Sequence, residues 1–285
     1  MLTDAYGIFT SQGAGRRVAN TAKLLAEGRS MRLKDKLKVG FLLLQDAGKK
    51  GKKEVDNLVD RFGDRIEAHI FDLTEEKIVP CKGCKYCPAK FGADDEYRCV
   101  VNDETDFFYR NHQRIVGLDA FVVVIYSASD KGMLQATYQR FIERTRYLRR
   151  SDYIYSNIPF VPLVFEEVGA GQNFHIRIIT SFIRHETIVL QPLIGVPYEG
   201  VLLNRDDVYG RFEVFLDKAE VVAVGRMASS LNNSCHFLYN PVGYVLKYGR
   251  DVDEKITSIR HANLERRCHL LQSNFSERLI QKSTF

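Results

Sequence analysis

At 285 residues and 45% hydrophobic content, the chain is long enough to bury one large core and needs no disulfide to stand. Its longest unbroken apolar run, Ala120 to Tyr126, is far too short to cross a bilayer and no apolar leader opens the chain, so a cytoplasmic protein is expected. The formal net charge of +5 is local: Met1 to Lys53 holds 12 Lys or Arg against 4 Asp or Glu, leaving 29 against 32, and no aromatic-interleaved basic stripe points to nucleic acid.

An N-terminal extension, residues 1–36, is predicted to carry a helix over Val18 to Ala26. From Lys38 onward, short apolar runs alternate with helical patterns, as a doubly wound parallel α/β sheet requires. Val39 to Leu44 reads as the first strand, and Lys52 to Phe62 as a helix with Val55, Leu58, Val59 and Phe62 on one face. Ile66 to Leu73 is the second strand, followed after a cysteine segment by a helix near Thr105 to Val116. The β-branched run Ala120 to Tyr126 implies a strand buried on both faces. Met133 to Tyr147 is a helix with a basic polar face, and Phe160 to Phe165 a fourth strand although Pro159 and Pro162 oppose it. A glycine-bearing loop, Glu167 to Gln172, leads into a helix to Arg184. Thr187 to Gln191 and Glu220 to Val224 supply the last strands, separated by an insertion with Gly195, Pro197 and Gly200. The domain spans residues 37–230. A C-terminal extension, 231–285, holds a long helix over Asp251 to Ile280 with Ile256, Ile259, Leu264, Leu271, Phe275 and Leu279 near one face.

Four of the six cysteines fall in CKGCKYCPAKFGADDEYRC, where Cys81, Cys84, Cys87 and Cys99 form a Cys-x2-Cys-x2-Cys-x11-Cys array. Three thiolates two residues apart can converge from a tight loop, and a fourth can close a sulfur shell around zinc or cap a 4Fe-4S cluster. A disulfide framework and free thiols are the plainer alternatives, and spacing alone does not separate them.

The stretch from Ile78 to Ser127, with IVPCKGCKYC, RCVVNDETDFFYR and LDAFVVVIYS, resembles the NAD(P)H-dependent FMN reductase family of the flavodoxin-like superfamily, and specifically its iron-sulfur flavoproteins. SASDKGMLQATYQRFIER, Ser127 to Arg144, is similar to the segment that follows the third strand in that family. The resemblance covers about Val39 to Val224. It implies a flavodoxin-like fold, FMN, NAD(P)H as co-substrate, a 4Fe-4S cluster on the four cysteines, and a small-molecule or protein electron acceptor.

Ligands of such sheets bind beyond the carboxyl ends of the strands, which singles out three loops. Gly48 and Gly51 admit close backbone approach, while Lys49, Lys52 and Lys53, with Lys50, offer charge to a phosphate at a helix N-terminus. Ser127, Ala128, Ser129, Asp130 and Gly132 would lie along a flavin edge, and Gly169, Ala170 and Gly171 would leave room for the ring. The lysine loop lacks the hydroxyls of the family's phosphate loop. Ala128-Ser129-Asp130 stands where the family has Pro-x-Tyr, which sets a carboxylate near the expected ring.

Three further readings stand beside this one. Thr10 to Lys23, with Gly13, Gly15, Arg16 and Arg17, is an alternative anion loop. A simple flavin or quinone reductase would keep the fold without the cluster, whereas a non-enzymatic module would use the four cysteines for zinc or redox sensing. Cys235-His236 and Cys268-His269 read as structural, and His112, His175 and His185 receive no role. A homo-oligomer, dimer or tetramer, is expected, with the tail helix and the basic helix Met133 to Arg150 at subunit contacts.

Overall fold

The computed structural model describes residues 5–45, 48–84, 87, 98–126, 131–151, 154–166, 174–231 and 275–282. Helix α1 (Ala5–Ser30) and strand β1 (Met31–Leu33) precede the sheet. Then come β2 (Leu37–Gln45), α2 (Lys50–Phe62), β3 (Ile66–Asp72), α3 (Phe107–Val116), β4 (Ala120–Tyr126), α4 (Lys131–Arg144), α5 (Arg146–Ser151), β5 (Pro159–Phe165) and α6 (Phe174–Ile183). The chain continues through β6 (Ile188–Val189), β7 (Leu193–Gly195), the pair β8 (Pro197–Tyr198) and β9 (Val201–Leu202), the long helix α7 (Arg205–Leu231) and β10 (Leu279–Gln281).

Strands pair in parallel in the order β3-β2-β4-β5-β6, with β7 continuing beside β5. Counted from β2, this is the 2-1-3-4-5 order of flavodoxin-like sheets. The three central strands β2, β4 and β5 are buried nearly throughout, because helices cover both faces, while the edge strand β3 is only partly buried. Pro162 sits in β5, yet no ladder bond is sacrificed on the β6 side. That neighbour stops at Val189, beside Phe160, and resumes at Leu193, beside Leu163, so the break falls alongside Val161 and Pro162.

One core layer packs Phe107 and Phe108 of α3, Leu134, Tyr138 and Phe141 of α4, and Ile178 and Phe182 of α6 onto the sheet. The other packs Val55, Leu58 and Phe62 of α2 with Phe212, Phe215, Leu216 and Ala219 of α7. Outside it, α1 crosses α7 at glycines: a Cβ on Gly28 would lie 1.9 Å from the Val221 carbonyl oxygen, and one on Gly225 would lie 2.0 Å from that of Leu24. Only glycine lets the two backbones approach so closely.

A buried ion pair ties the cysteine segment to this frame. Arg144 donates to Asp106 at 3.0 Å with both side chains inaccessible, and donates to the Val79 carbonyl at 2.8 Å. Asp106 in turn accepts from Val79 N–H at 2.8 Å and caps α3 through Phe108 and Tyr109. The chain end is fastened likewise: β10 pairs antiparallel with β1, and Arg278 forks onto Asp119 at 2.8 and 3.0 Å.

Four expectations are corrected. Glu220 to Val224 is not a strand; it lies inside α7, whose stripe Val208, Phe212, Phe215, Leu216, Ala219 and Ala223 runs at helical spacing. Thr10 to Lys23 is helix within α1, so it offers no glycine-lined anion loop. The tail helix does not run to Ile280: Leu279 to Gln281 is strand, and Phe275 and Leu279 pack on Val224, Met227 and Ala228 of α7. Residues 251–274, and with them most of that helix and Cys268-His269, lie outside the described residues, as does Cys235-His236. The Met133 to Tyr147 helix is two helices, α4 and α5, divided at Thr145.

Candidate functional site

The strand order reverses between β2 and β4, and α2 and α4 leave these strands over opposite faces of the sheet. That divergence opens a crevice at the carboxyl ends, where Gln45 stands in register with Tyr126.

Gly48 and Lys49 lie just before α2 and Gly51, Lys52 and Lys53 in its first turn, beside this crevice. Lys49 precedes α2 in the left-handed region with φ 51° and gives the helix no side-chain cap. Gly51 is buried against the sheet: a Cβ there would lie 3.0 Å from Tyr126 Cβ and 3.1 Å from Gln45 Oε1. Lys53 N–H donates to the Lys49 carbonyl at 3.2 Å, and Lys52 N–H donates to Gln45 Oε1 at 2.8 Å. The amides of Lys50 and Gly51 thus stand first at the helix mouth, at the positive end of its dipole.

The lysines do not act as one block of charge. Lys49 pairs with Glu75, and Lys52 reaches along its own helix to Asp56 at 2.7 Å, while Lys50 and Lys53 are exposed. Gln45, which sequence reasoning overlooked, organises the mouth. It is 2% exposed and donates from Nε2 to Asp72 Oδ2 at 2.6 Å, so one amide links the ends of β2 and β3 to the start of α2. The signal was present: a lone polar residue closes the otherwise apolar run GFLLLQ.

Gly132 is exposed in the first turn of α4. Ser127, Ala128, Ser129, Asp130, Gly169, Ala170 and Gly171 lie outside the described residues.

The cysteines are arranged differently from the expectation. Cys81, Cys84, Cys87 and Cys99 are all half-buried. Cys81 lines a cavity between α4 and α6, whereas Cys87 and Cys99 pack against the core layer that holds α3 and α4. Cys99 neighbours the phenol of Tyr147, which burial holds well above its ordinary pKa and which bonds His112 at 2.8 Å. Among the described residues, no three His, Cys, Asp or Glu side chains come together as a metal site. As placed here, the four thiols do not fit a four-sulfur shell. Among the described residues, too, no helix is long and apolar enough to cross a membrane.

No protein-family model matches the chain, and no curated protein is similar to it. Solved structures do share features with it. FerB, a flavoenzyme NAD(P)H:(acceptor) oxidoreductase from Paracoccus denitrificans, is 12% identical, with 65% of this chain and 97% of that chain covered and a TM-score of 0.38. A flavodoxin, WrbA-like protein from Agrobacterium tumefaciens is 8% identical over 67% and 99% of the chains, with a TM-score of 0.39. RosB with bound 8-demethyl-8-formylriboflavin-5'-phosphate is 15% identical over 79% and 87%, also at 0.39. The chain's own strand order, rather than these distant superpositions, makes its fold flavodoxin-like.

Proposed function

We propose that this chain is an FMN-dependent oxidoreductase that moves electrons from NAD(P)H to a small-molecule or protein acceptor. One observation carries the reading: at the β2–β4 switch point, the mouth of α2 combines amides, exposed lysines and a glycine pressed against the sheet. The sequence resemblance around Ile78 to Arg144 supports the same cofactor.

The residues present fit a flavin phosphate. Lys50 and Gly51 would hold it through backbone N–H groups, and Lys50 and Lys53 would offset its charge. Gln45 keeps the mouth in shape by fixing Lys52 N–H and Asp72 at once. The Lys49–Glu75 pair is exposed and screened by solvent, so Lys49 is able to turn to an incoming anion at little cost. Bound FMN would supply hydride acceptance and onward electron delivery. The cysteines carry no step in this reading, because they do not gather around one centre. Homo-oligomeric assembly belongs to the same proposal.

Purified protein should be yellow and should bleach on addition of NADH or NADPH under anaerobic conditions. The Lys50→Glu/Lys53→Glu variant should lose flavin while keeping its circular dichroism spectrum. Colourless protein that takes up no added FMN overturns the reading.

A further inference from the structure

A cavity of about 620 Å³ opens on the flank of the molecule between α4 and α6. It is remote from the switch-point crevice by topology. Helices α4 and α6 start at the carboxyl ends of their strands and run back, so Arg146, Arg149 and Arg184 stand near the edge where β5 and β6 begin. These three arginines and Arg177 line the cavity, and Glu143 is the carboxylate among its lining residues. That carboxylate is already engaged: it accepts from Gln139 Nε2, whose own Oε1 accepts from Arg177. Four guanidinium groups against one carboxylate make the lining positive.

His185 adds an independent feature. It lines the cavity, is 3% exposed, and its Nε2 lies 2.9 Å from Thr145 Oγ1. Thr145 Oγ1 donates its proton to the Ile142 carbonyl at 2.7 Å, so it accepts from His185, and Nε2 carries the ring proton. Nδ1 is left as a bare acceptor with no hydrogen-bond partner among the described residues. Burial, with Arg149 and Arg184 nearby, pushes this imidazole down to about 3, so it adds no charge at neutral pH. That atom is sealed from solvent, so the ring is part of the cavity's wall rather than a ligand contact.

We infer that this cavity binds a diphosphate-bearing small molecule, the phosphates facing the guanidinium groups of Arg146 and Arg184. One phosphate ester carries about −1.5 to −2 and a diphosphate more, which suits a lining of four guanidinium groups and one carboxylate. Arginine forks suit phosphate oxygens better than lysine points. The volume is in the range of small-molecule sites, about 300–1,000 Å³, which leaves room for an organic body such as a nucleoside.

The test is titration calorimetry of the full chain with inorganic pyrophosphate and with ADP at low ionic strength. Both are expected to bind saturably, ADP more tightly, and binding should weaken as salt is raised. Arg146→Gln/Arg184→Gln should weaken binding by about tenfold or more, while Arg146→Lys/Arg184→Lys, which keeps the charge, should retain part of it. Bound ADP should also slow alkylation of Cys81, and flavin content should be unchanged in all these variants. Pyrophosphate and ADP both failing to bind the wild type would overturn the inference. So would unchanged affinity in Arg146→Gln/Arg184→Gln, or displacement of ADP by FMN, which would place the anion at the switch point.

Discussion

At the carboxyl edge of the sheet, four lysines crowd into five consecutive residues, yet Lys49 and Lys52 are drawn onto Glu75 and Asp56. On the α4–α6 flank, Arg146, Arg149, Arg177 and Arg184 are scattered through 39 residues of sequence but line one cavity whose carboxylate is occupied. Charge density along a sequence is therefore a poor guide to the field in a fold. Lys52 finds Asp56 one turn along its helix and Lys49 finds Glu75 beyond β3, whereas arginines on separate helices converge when a sheet sets those helices side by side. At the switch point the proposed phosphate site would rest more on backbone amides, held in place by Gln45, than on the lysine count.

The largest expected effect concerns the scaffold that joins the Cys81 segment to the flank. Asp106→Ala leaves Arg144 buried and unpaired and frees Val79, so it should cost about 3–5 kcal/mol in urea unfolding. A loss below about 1 kcal/mol would mean that the pair does not hold that segment.

Next comes the neutral imidazole in the arginine cavity. The folded pKa of His185, about 3, lies below its ordinary value of 6.5, so the unfolded chain takes up the proton first as pH falls. The associated stability is complete above about pH 6.5 and drains away on descent toward pH 3. Between pH 7 and 4 the wild type should lose on the order of 3 kcal/mol more than His185→Gln. Parallel stability profiles for the two proteins would show the histidine to be solvated.

Much of the sheet was legible because its signal is local. Ala120 to Tyr126 is a strand by composition alone, and every residue of it is buried. Glu220 to Val224 misled because EVVAV, taken by itself, has strand composition, while the stripe that makes it helix begins upstream at Val208. In α1, the glycines that suggested a loop sit in a helix supported by α7, a partner some 200 residues away that no local pattern announces. After β2, the glycines and lysines that the sequence singles out stand at the start of α2, beside the end of β2. Gln45 was not legible, since its role depends on Asp72 and Lys52 N–H arriving from other elements. The cysteine spacing suggested a ligand set, but among the described residues no three such side chains come together.

Smaller effects separate close packing from charge. Gly225→Ala should cost about 1–3 kcal/mol, because its methyl meets the Leu24 carbonyl rather than a movable side chain; an unchanged melting temperature would mean that α1 is not held on α7. Glu75→Gln should leave the melting temperature unchanged, yet it should tighten FMN binding by releasing Lys49. Weaker FMN binding in that variant would assign Glu75 a positive role at the mouth.

The decisive measurement is fluorescence titration of FMN into flavin-depleted protein carrying either Lys50→Glu/Lys53→Glu or Arg146→Gln/Arg184→Gln, beside the wild type. The switch-point site requires the lysine variant to lose affinity by about tenfold or more and the arginine variant to match the wild type. Equal affinity in the lysine variant, or loss confined to the arginine variant, would contradict a flavin at the β2–β4 crevice.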